Sequence, residues 1–211
     1  MSETNTPVVS FQFLQWAVAS QAATRGAASG DQYLLKYYPG GALVAVIDGL
    51  GHGEKAADVA LAAVAAMEGH EQEPVSALLR RCHQALTGTR GVVMSLATFS
   101  MAAETMTWLG VGNVEGLLLC ANGRGKAGRE SLLLRGGIVG YRLPNLRPVT
   151  LQLVRGDTLV FATDGIRSGF SQELSVADDP QALADQIFAR HHRGTDDALV
   201  LVARYVGQQD E

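Results

Sequence analysis

Apolar residues in this chain fall into short runs whose period switches between two and 3.6. Strand-like runs come first, at 8–18 (VVSFQFLQWAV), 32–38 and 42–47, the last two joined by a turn at Pro39-Gly40-Gly41. From 54 to 68 the period changes. Ala56, Val59, Ala60, Ala63, Val64 and Met67 recur at helical spacing in an Ala-rich stretch that Gly69 stops. Pro74 opens a second helix, with Val75, Leu78, Leu79, Cys82 and Leu86 on one apolar stripe. Runs at 92–100, 105–111 and 114–120 predict a meander, with Gly112-Asn113 as a two-residue hairpin turn between the last two. A polar, Gly-rich loop at 122–130 precedes strands at 131–135, 149–154 and 157–163, the last two turned by Arg155-Gly156. Asp178-Asp179-Pro180 caps a third helix to about His192, and a strand at 198–205 closes the pattern.

About ten strands and three helices result, without the alternating rhythm of a doubly wound fold. The prediction is an α/β protein: an α-β-β-α sandwich of two packed, mainly antiparallel sheets flanked by helices. No internal repeat or long linker interrupts the 211 residues, so one domain is expected, with an ordered core at about 8–206.

Composition narrows the function classes. Hydrophobic residues at 47% and charged residues at 18% describe a globular chain and not a disordered one. A net charge of −4 without a Lys/Arg stripe argues against nucleic-acid binding. No apolar run approaches membrane-spanning length and 1–7 lacks signal-peptide character, so a soluble, cytoplasmic chain without a membrane partner is expected. Cys82 and Cys120 have no metal-site or redox spacing and are expected as buried thiols.

Carboxylates carry the chemistry. Asp48 ends the apolar run VAVI and is followed by Gly-Leu-Gly-His-Gly; Asp164 ends TLVFAT and is followed by Gly165. Asp196-Asp197 precede the final strand, and Asp31 follows Gly30 at the head of another. A single Asp-Gly after a strand is ordinarily a turn, the glycine letting the backbone bend sharply. Four such sites in matching contexts point to a hard-cation centre of carboxylate and carbonyl oxygens, suited to Mg²⁺ or Mn²⁺. The segment GLGHG departs from both GxGxxG and GxxxxGK[ST] and is not read as a nucleotide loop.

Ser29-Gly30-Asp31, Val46 to Gly53 (VIDGLGHG), Phe161 to Gly165 (FATDG) and Thr195-Asp196-Asp197 together resemble the metal-dependent (PPM, type 2C) protein phosphatases. Gly110 to Val114 (GVGNV) and Arg135 to Gly140 (RGGIVG) are similar to the bacterial SpoIIE-like branch, and the small size is similar to its stand-alone, RsbX-like members. The resemblance implies a serine/threonine phosphatase with two Mn²⁺ or Mg²⁺ ions, acting on phosphorylated STAS-domain proteins of the stressosome or anti-anti-sigma type. It implies Asp48 as the bridging ligand with the Gly49 carbonyl beside it, Asp164 and Asp196 at the second ion, and Asp31 as a ligand directly or through water. Asp48 and Asp164 are thus the expected catalytic centre. Asp197 stands where the family has Asn, and either neighbour of the pair remains open as the ligand. His52 lies two residues further from Asp48 than the His of the family's Asp-Gly-His-Gly. It is read as a proton donor or a plain loop residue, and Arg25 as a phosphate contact or a surface arginine. The chemistry agrees: phosphomonoester hydrolysis needs large charge stabilisation, which two divalent ions supply. Two competing readings are a pseudophosphatase-like binding module of a partner-switching complex and a different metal-dependent phosphoester hydrolase.

Overall fold

Among the described residues, ten strands, three α-helices and one short 3₁₀ turn are arranged in four layers. The structure, a computed structural model, describes residues 13–24 and 26–207. One sheet holds β1 (Leu14–Gln21), β6 (Glu115–Leu119), β7 (Arg129–Ser131), β9 (Thr158–Ala162) and β10 (Ala198–Tyr205), in the order β1-β10-β9-β6-β7. The other holds β2 (Asp31–Tyr38), β3 (Gly41–Gly49), β4 (Val92–Ser100), β5 (Thr105–Val111) and β8 (Val149–Gln152), in the order β2-β3-β4-β5-β8. All pairings between named strands are antiparallel.

Strand alternation explains the layering. In β3, Ala42, Val44 and Val46 point into the core between the sheets, while Leu43, Ala45 and Ile47 point outward onto the helices. Those helices are α1 (Glu54–Met67) and α2 (Val75–Ala85). In β10, Leu199, Leu201 and Ala203 face the inner core, while Ala198, Val200 and Val202 face α3 (Pro180–His191). Both strands are covered on both faces, which is why they read as unbroken apolar runs. The predicted stripe of α2 is buried throughout, and Asp179 caps α3 by accepting from the Ala182 amide at 2.8 Å. Cys82 and Cys120 are free, buried thiols.

Two predicted hairpins are instead crossings between sheets. β6 does not pair with β5; it lies between β9 and β7 in the opposite sheet. Gly112 adopts a left-handed φ of 99°, and its amide donates to the Arg135 carbonyl at 2.9 Å, not across a hairpin. The Ser95 hydroxyl then donates to the Val114 carbonyl at 2.7 Å, pinning the crossing chain under β4. Likewise Arg155-Gly156 links β8 in one sheet to β9 in the other, and the Gly156 amide donates to Tyr205 of β10 at 2.8 Å. A glycine turn signals reversal but does not say which sheet receives the next strand. Two boundaries also move. The first strand runs from Leu14 to Gln21, its predicted part before Phe13 lying outside the described residues. Of the run predicted at 131–135, only Ser131 belongs to a named strand; Arg135 makes an isolated bridge to Val111.

Candidate metal centre

The central strands of both sheets end at the same end of the sandwich. Asp31 opens β2 and pairs in register with Asp48 near the end of β3. Asp48 shares the parity of Val44 and Val46, so its carboxylate emerges where the inter-sheet core stops. In the opposite sheet, the end of β9 and the start of β10 lie side by side, with Ala162 opposite Val200. Asp164 therefore leaves one strand next to where Asp196 and Asp197 enter its neighbour. Thr163 joins the two halves: its hydroxyl donates to Asp31 Oδ2 at 2.7 Å and accepts the Leu199 amide at 2.9 Å.

Asp48, Asp164, Asp196 and Asp197 line one open pocket of about 760 Å³, together with His52, Asn113 and Thr195. Asp31 sits beneath it, 5% exposed. Burial raises the Asp48 carboxyl to about 8, reinforced by the charges of Asp31, Asp164, Asp196 and Asp197. Burial likewise raises Asp31 to about 7, against the pull of the Thr163 hydrogen bond. Asp164 is raised by burial and then by Asp196, while Asn113 and Arg193 draw it back. Among the described residues none of Asp31, Asp48, Asp164 or Asp196 has a Lys or Arg ion-pair partner. Such a set is acceptor-rich and short of positive charge, the condition a hard divalent cation satisfies. Among the described residues no three acidic, His or Cys side chains are drawn together as a single-ion cage; the carboxylates ring an open mouth. The donor set fits hard cations bound at the mouth with water completing the shell, the habit of Mg²⁺.

The neighbours Asp196 and Asp197 separate cleanly. The Asp197 side chain accepts the Ala23 amide on Oδ1 at 2.7 Å and the Gly30 amide on Oδ2 at 2.6 Å. Both oxygens are committed to seating the β1–β2 connection. Asn could accept only one of these bonds, its amide nitrogen being a donor, which gives the Asp at this position a structural reason. Asp196 accepts the Asp197 amide at 2.9 Å and otherwise faces the pocket. His52 is exposed on the pocket lining, and Arg25 lies outside the described residues.

The glycines after the two aspartates act differently from the sequence expectation. Neither Gly49 nor Gly165 has a positive φ, so neither makes a glycine-only turn. A Cβ on Gly49 would land on the Ala56 carbonyl of α1, and one on Gly165 on the Asp197 carbonyl. Close backbone approach, not bending, requires glycine at both. Asn113 escaped the sequence reading because a Gly-Asn pair looks like a turn; its Nδ2 donates to Asp164 Oδ2 at 2.9 Å. Thr163 reads in the sequence as the last residue of a strand, and its hydroxyl directly before a site aspartate is the signal of its second role.

The model of the Stage II sporulation protein E (SpoIIE) family matches residues 38–206. The phosphoserine phosphatase RsbX of Bacillus subtilis (strain 168) is 27% identical over 139 residues, 65% of this chain and 67% of that protein. A chain solved in work on the bacterial stressosome as a modular system adapted to control secondary messenger signalling is 30% identical. It superposes with a TM-score of 0.81 over 90% of this chain and 99% of its own length. RsbX in complex with magnesium shares the fold at 20% identity, with a TM-score of 0.80 over 92% of this chain and 96% of that one. The two-sheet sandwich thus has the matching family model and the matching solved folds on its side, and the chain belongs to the SpoIIE family of type 2C phosphatase domains.

Proposed function

We propose that this chain is a metal-dependent serine/threonine protein phosphatase of phosphorylated STAS-domain signalling proteins, of the stressosome or anti-anti-sigma type. The observation that carries the reading is the placement of Asp48, Asp164 and Asp196, from both sheets, on one pocket, with no Lys or Arg ion pair to any of them among the described residues. Asp48, the Gly49 carbonyl, Asp164 and Asp196 would hold two Mg²⁺ or Mn²⁺ ions, with Asp31 supporting Asp48 from below. Two such ions supply positive charge to the phosphoryl oxygens and acidify the attacking water. Asn113 orients Asp164, Thr163 holds Asp31, and Asp197 seats the β1–β2 connection on the pocket wall. His52 is the imidazole on the border, the group type suited to protonate a leaving serine oxygen. The substrate class is supported by the likeness to the phosphoserine phosphatase RsbX and to the chain from the stressosome work. A cytoplasmic location belongs to the same reading; among the described residues no helix is long and apolar enough to cross a membrane.

The test is phosphate release from a phosphorylated STAS-domain protein by the purified chain, with Mn²⁺ and with EDTA. Release that needs Mn²⁺ is expected. No release from this substrate or from a generic aryl phosphate would sink the reading, and binding without turnover would favour a docking module. A preference for nucleotides would favour a different phosphoester hydrolase.

Asn113→Ala adds a residue-level expectation. Removing a side chain that orients a metal-binding carboxylate weakens metal affinity roughly 10- to 100-fold. Asn113 is exposed, so thermal stability without metal should change by no more than about 0.5 kcal/mol. Calorimetric titration with Mn²⁺ and a melting curve in EDTA read the two effects separately.

A further inference from the structure

Next to the acidic pocket runs a segment whose charged residues are all basic. Residues 132–148 contain Arg135, Arg142 and Arg147 and no Asp or Glu, in a chain whose net charge is −4. This segment is irregular but firmly held. Val139 bridges Val92 antiparallel, Arg135 bridges Val111, and the Gly140 amide donates to His83 Nδ1 of α2 at 2.9 Å. Leu143 and Leu146 pack onto the core beneath the helices. The segment's Gly136 lines the pocket, and Arg135 is its immediate neighbour. The chain turns at Gly140-Tyr141, bridging Ile138 to Arg142, and a Cβ on Gly140 would lie 3.2 Å from the Gly91 Cα, so Arg90 and Tyr141 flank one close backbone contact. Arg90 Nη1 donates to the carbonyl of Leu50, itself a pocket residue, at 2.9 Å. Arg90, Arg135, Arg142 and Arg147 have no carboxylate partner among the described residues. Beside them Tyr141 is 78% exposed, and Arg142 is also exposed. Arginine and tyrosine side by side on a rigid backbone are the residue types that dominate protein interfaces.

We propose that Arg90 and this segment form a wall, centred on Arg90, Tyr141 and Arg142, that docks acidic residues flanking the phosphorylated side chain and so selects phosphoproteins with Asp or Glu near the phosphosite. The proposal rests on the phosphatase reading of the pocket and names the chemistry of its substrate. Charge complementarity decides the occupant. A free acidic peptide is repelled by the carboxylates of the pocket mouth, whereas the arginine wall beside it offers unpaired guanidinium groups that form bidentate bonds with carboxylates. The wall thus orients the substrate, flanks on arginine and phosphoryl group at the mouth.

The experiment compares two phosphoserine peptides, one with flanking Asp and Glu and one with Asn and Gln in their places, on the full chain with Mn²⁺. A several-fold lower KM for the acidic peptide is expected, fading as salt rises from about 0.05 to 0.5 M. Arg142→Gln should raise that KM about fivefold. Charge reversal in Arg142→Glu should raise it further, with kcat held and the neutral peptide unaffected. Equal KM values for the two peptides would overturn the proposal. So would an Arg142→Glu effect that is the same for the neutral peptide, which would make the segment a mere structural support. Fluorescence anisotropy of the labelled acidic peptide keeps the two readings apart. Loss of aryl phosphate hydrolysis by the parent chain would count against the phosphatase reading. Peptide binding that Arg142→Glu abolishes would still support the wall, and binding indifferent to it would refute the wall.

Discussion

Replacing Asp48 by Asn is expected to abolish metal-dependent phosphate release and, at the same time, to make the metal-free protein more stable. The two effects have one cause. Burial and the surrounding aspartates raise the Asp48 carboxyl from 3.8 to about 8. A carboxyl raised on folding contributes stability that is fully present below its unfolded pKa and is lost as pH rises through its folded pKa. Asp31, raised to about 7, behaves in the same way. The metal-free protein should therefore lose stability progressively between about pH 4 and pH 8. Asparagine at position 48 carries no charge, so the variant escapes its share of that loss and melts several degrees higher at pH 8, at about 2–4 °C for each kcal/mol. Activity moves the other way. Loss of a ligand should cost more than the roughly 10- to 100-fold of an orienting group. Because the site binds cations with its carboxylates ionised, adding Mn²⁺ near pH 7 should release protons, and the apparent affinity should rise with pH. Melting curves in EDTA from pH 5 to 8.5, with phosphate release and calorimetry in buffers of different ionisation heat, measure all three. A variant that keeps its turnover would remove Asp48 from the centre, and a flat stability profile would contradict the buried, mutually repelling carboxylates.

Gly165→Ala should damage fold and site together. The added methyl would meet the Asp197 carbonyl oxygen and lie 2.8 Å from the Ala198 Cβ. Neither neighbour is a free side-chain end. One is backbone, and the other is the methyl of a buried strand residue, so β9 and β10 must separate at their shared end. Forcing such overpacking costs about 3 kcal/mol, a fall in Tm of roughly 6–12 °C for a chain of this size. Asp164 precedes the glycine and Asp196 precedes its clash partner, so the same displacement moves apart two carboxylates of the pocket. Melting temperature and Mn²⁺ affinity should therefore fall together. A variant that loses stability but keeps full Mn²⁺ affinity would show that the Asp164–Asp196 spacing does not depend on this contact.

These expectations divide along the line between local and long-range information. The runs ALVAVI and ALVLVARY were legible as buried strands because burial on both faces leaves its mark on every position of a strand. The stripe of α2 and the Asp179 cap of α3 were legible for the same reason: each depends on residues within about one turn of helix. The aspartates Asp31, Asp48 and Asp164 stood out because each sits at a strand end beside a glycine, and Asp196 because it belongs to an acidic pair directly before a strand, local patterns both. What those glycines accommodate was not legible. Gly49 and Gly165 are required by backbone from α1 and from the β10 entry, segments that the local pattern does not contain.

The sequence by itself determined the elements, the four-layer architecture and the acidic residues that gather at its end. Periodicity and strand-end chemistry are properties of short windows. Only the tertiary structure decided which sheet receives β6 and β9, because a glycine turn permits a hairpin and a crossing equally and the pairing energy lies with distant strands. Only it distinguished Asp196 from Asp197. The two are adjacent and chemically identical and both border the pocket, but the Asp197 oxygens meet the Ala23 and Gly30 amides while Asp196 accepts the Asp197 amide. It also set Asn113 against Asp164 and the segment from 132 to 148, whose charged residues are all arginine, beside the pocket. Both properties arise from what lies beside these residues in space, which their own neighbourhood in the chain does not encode.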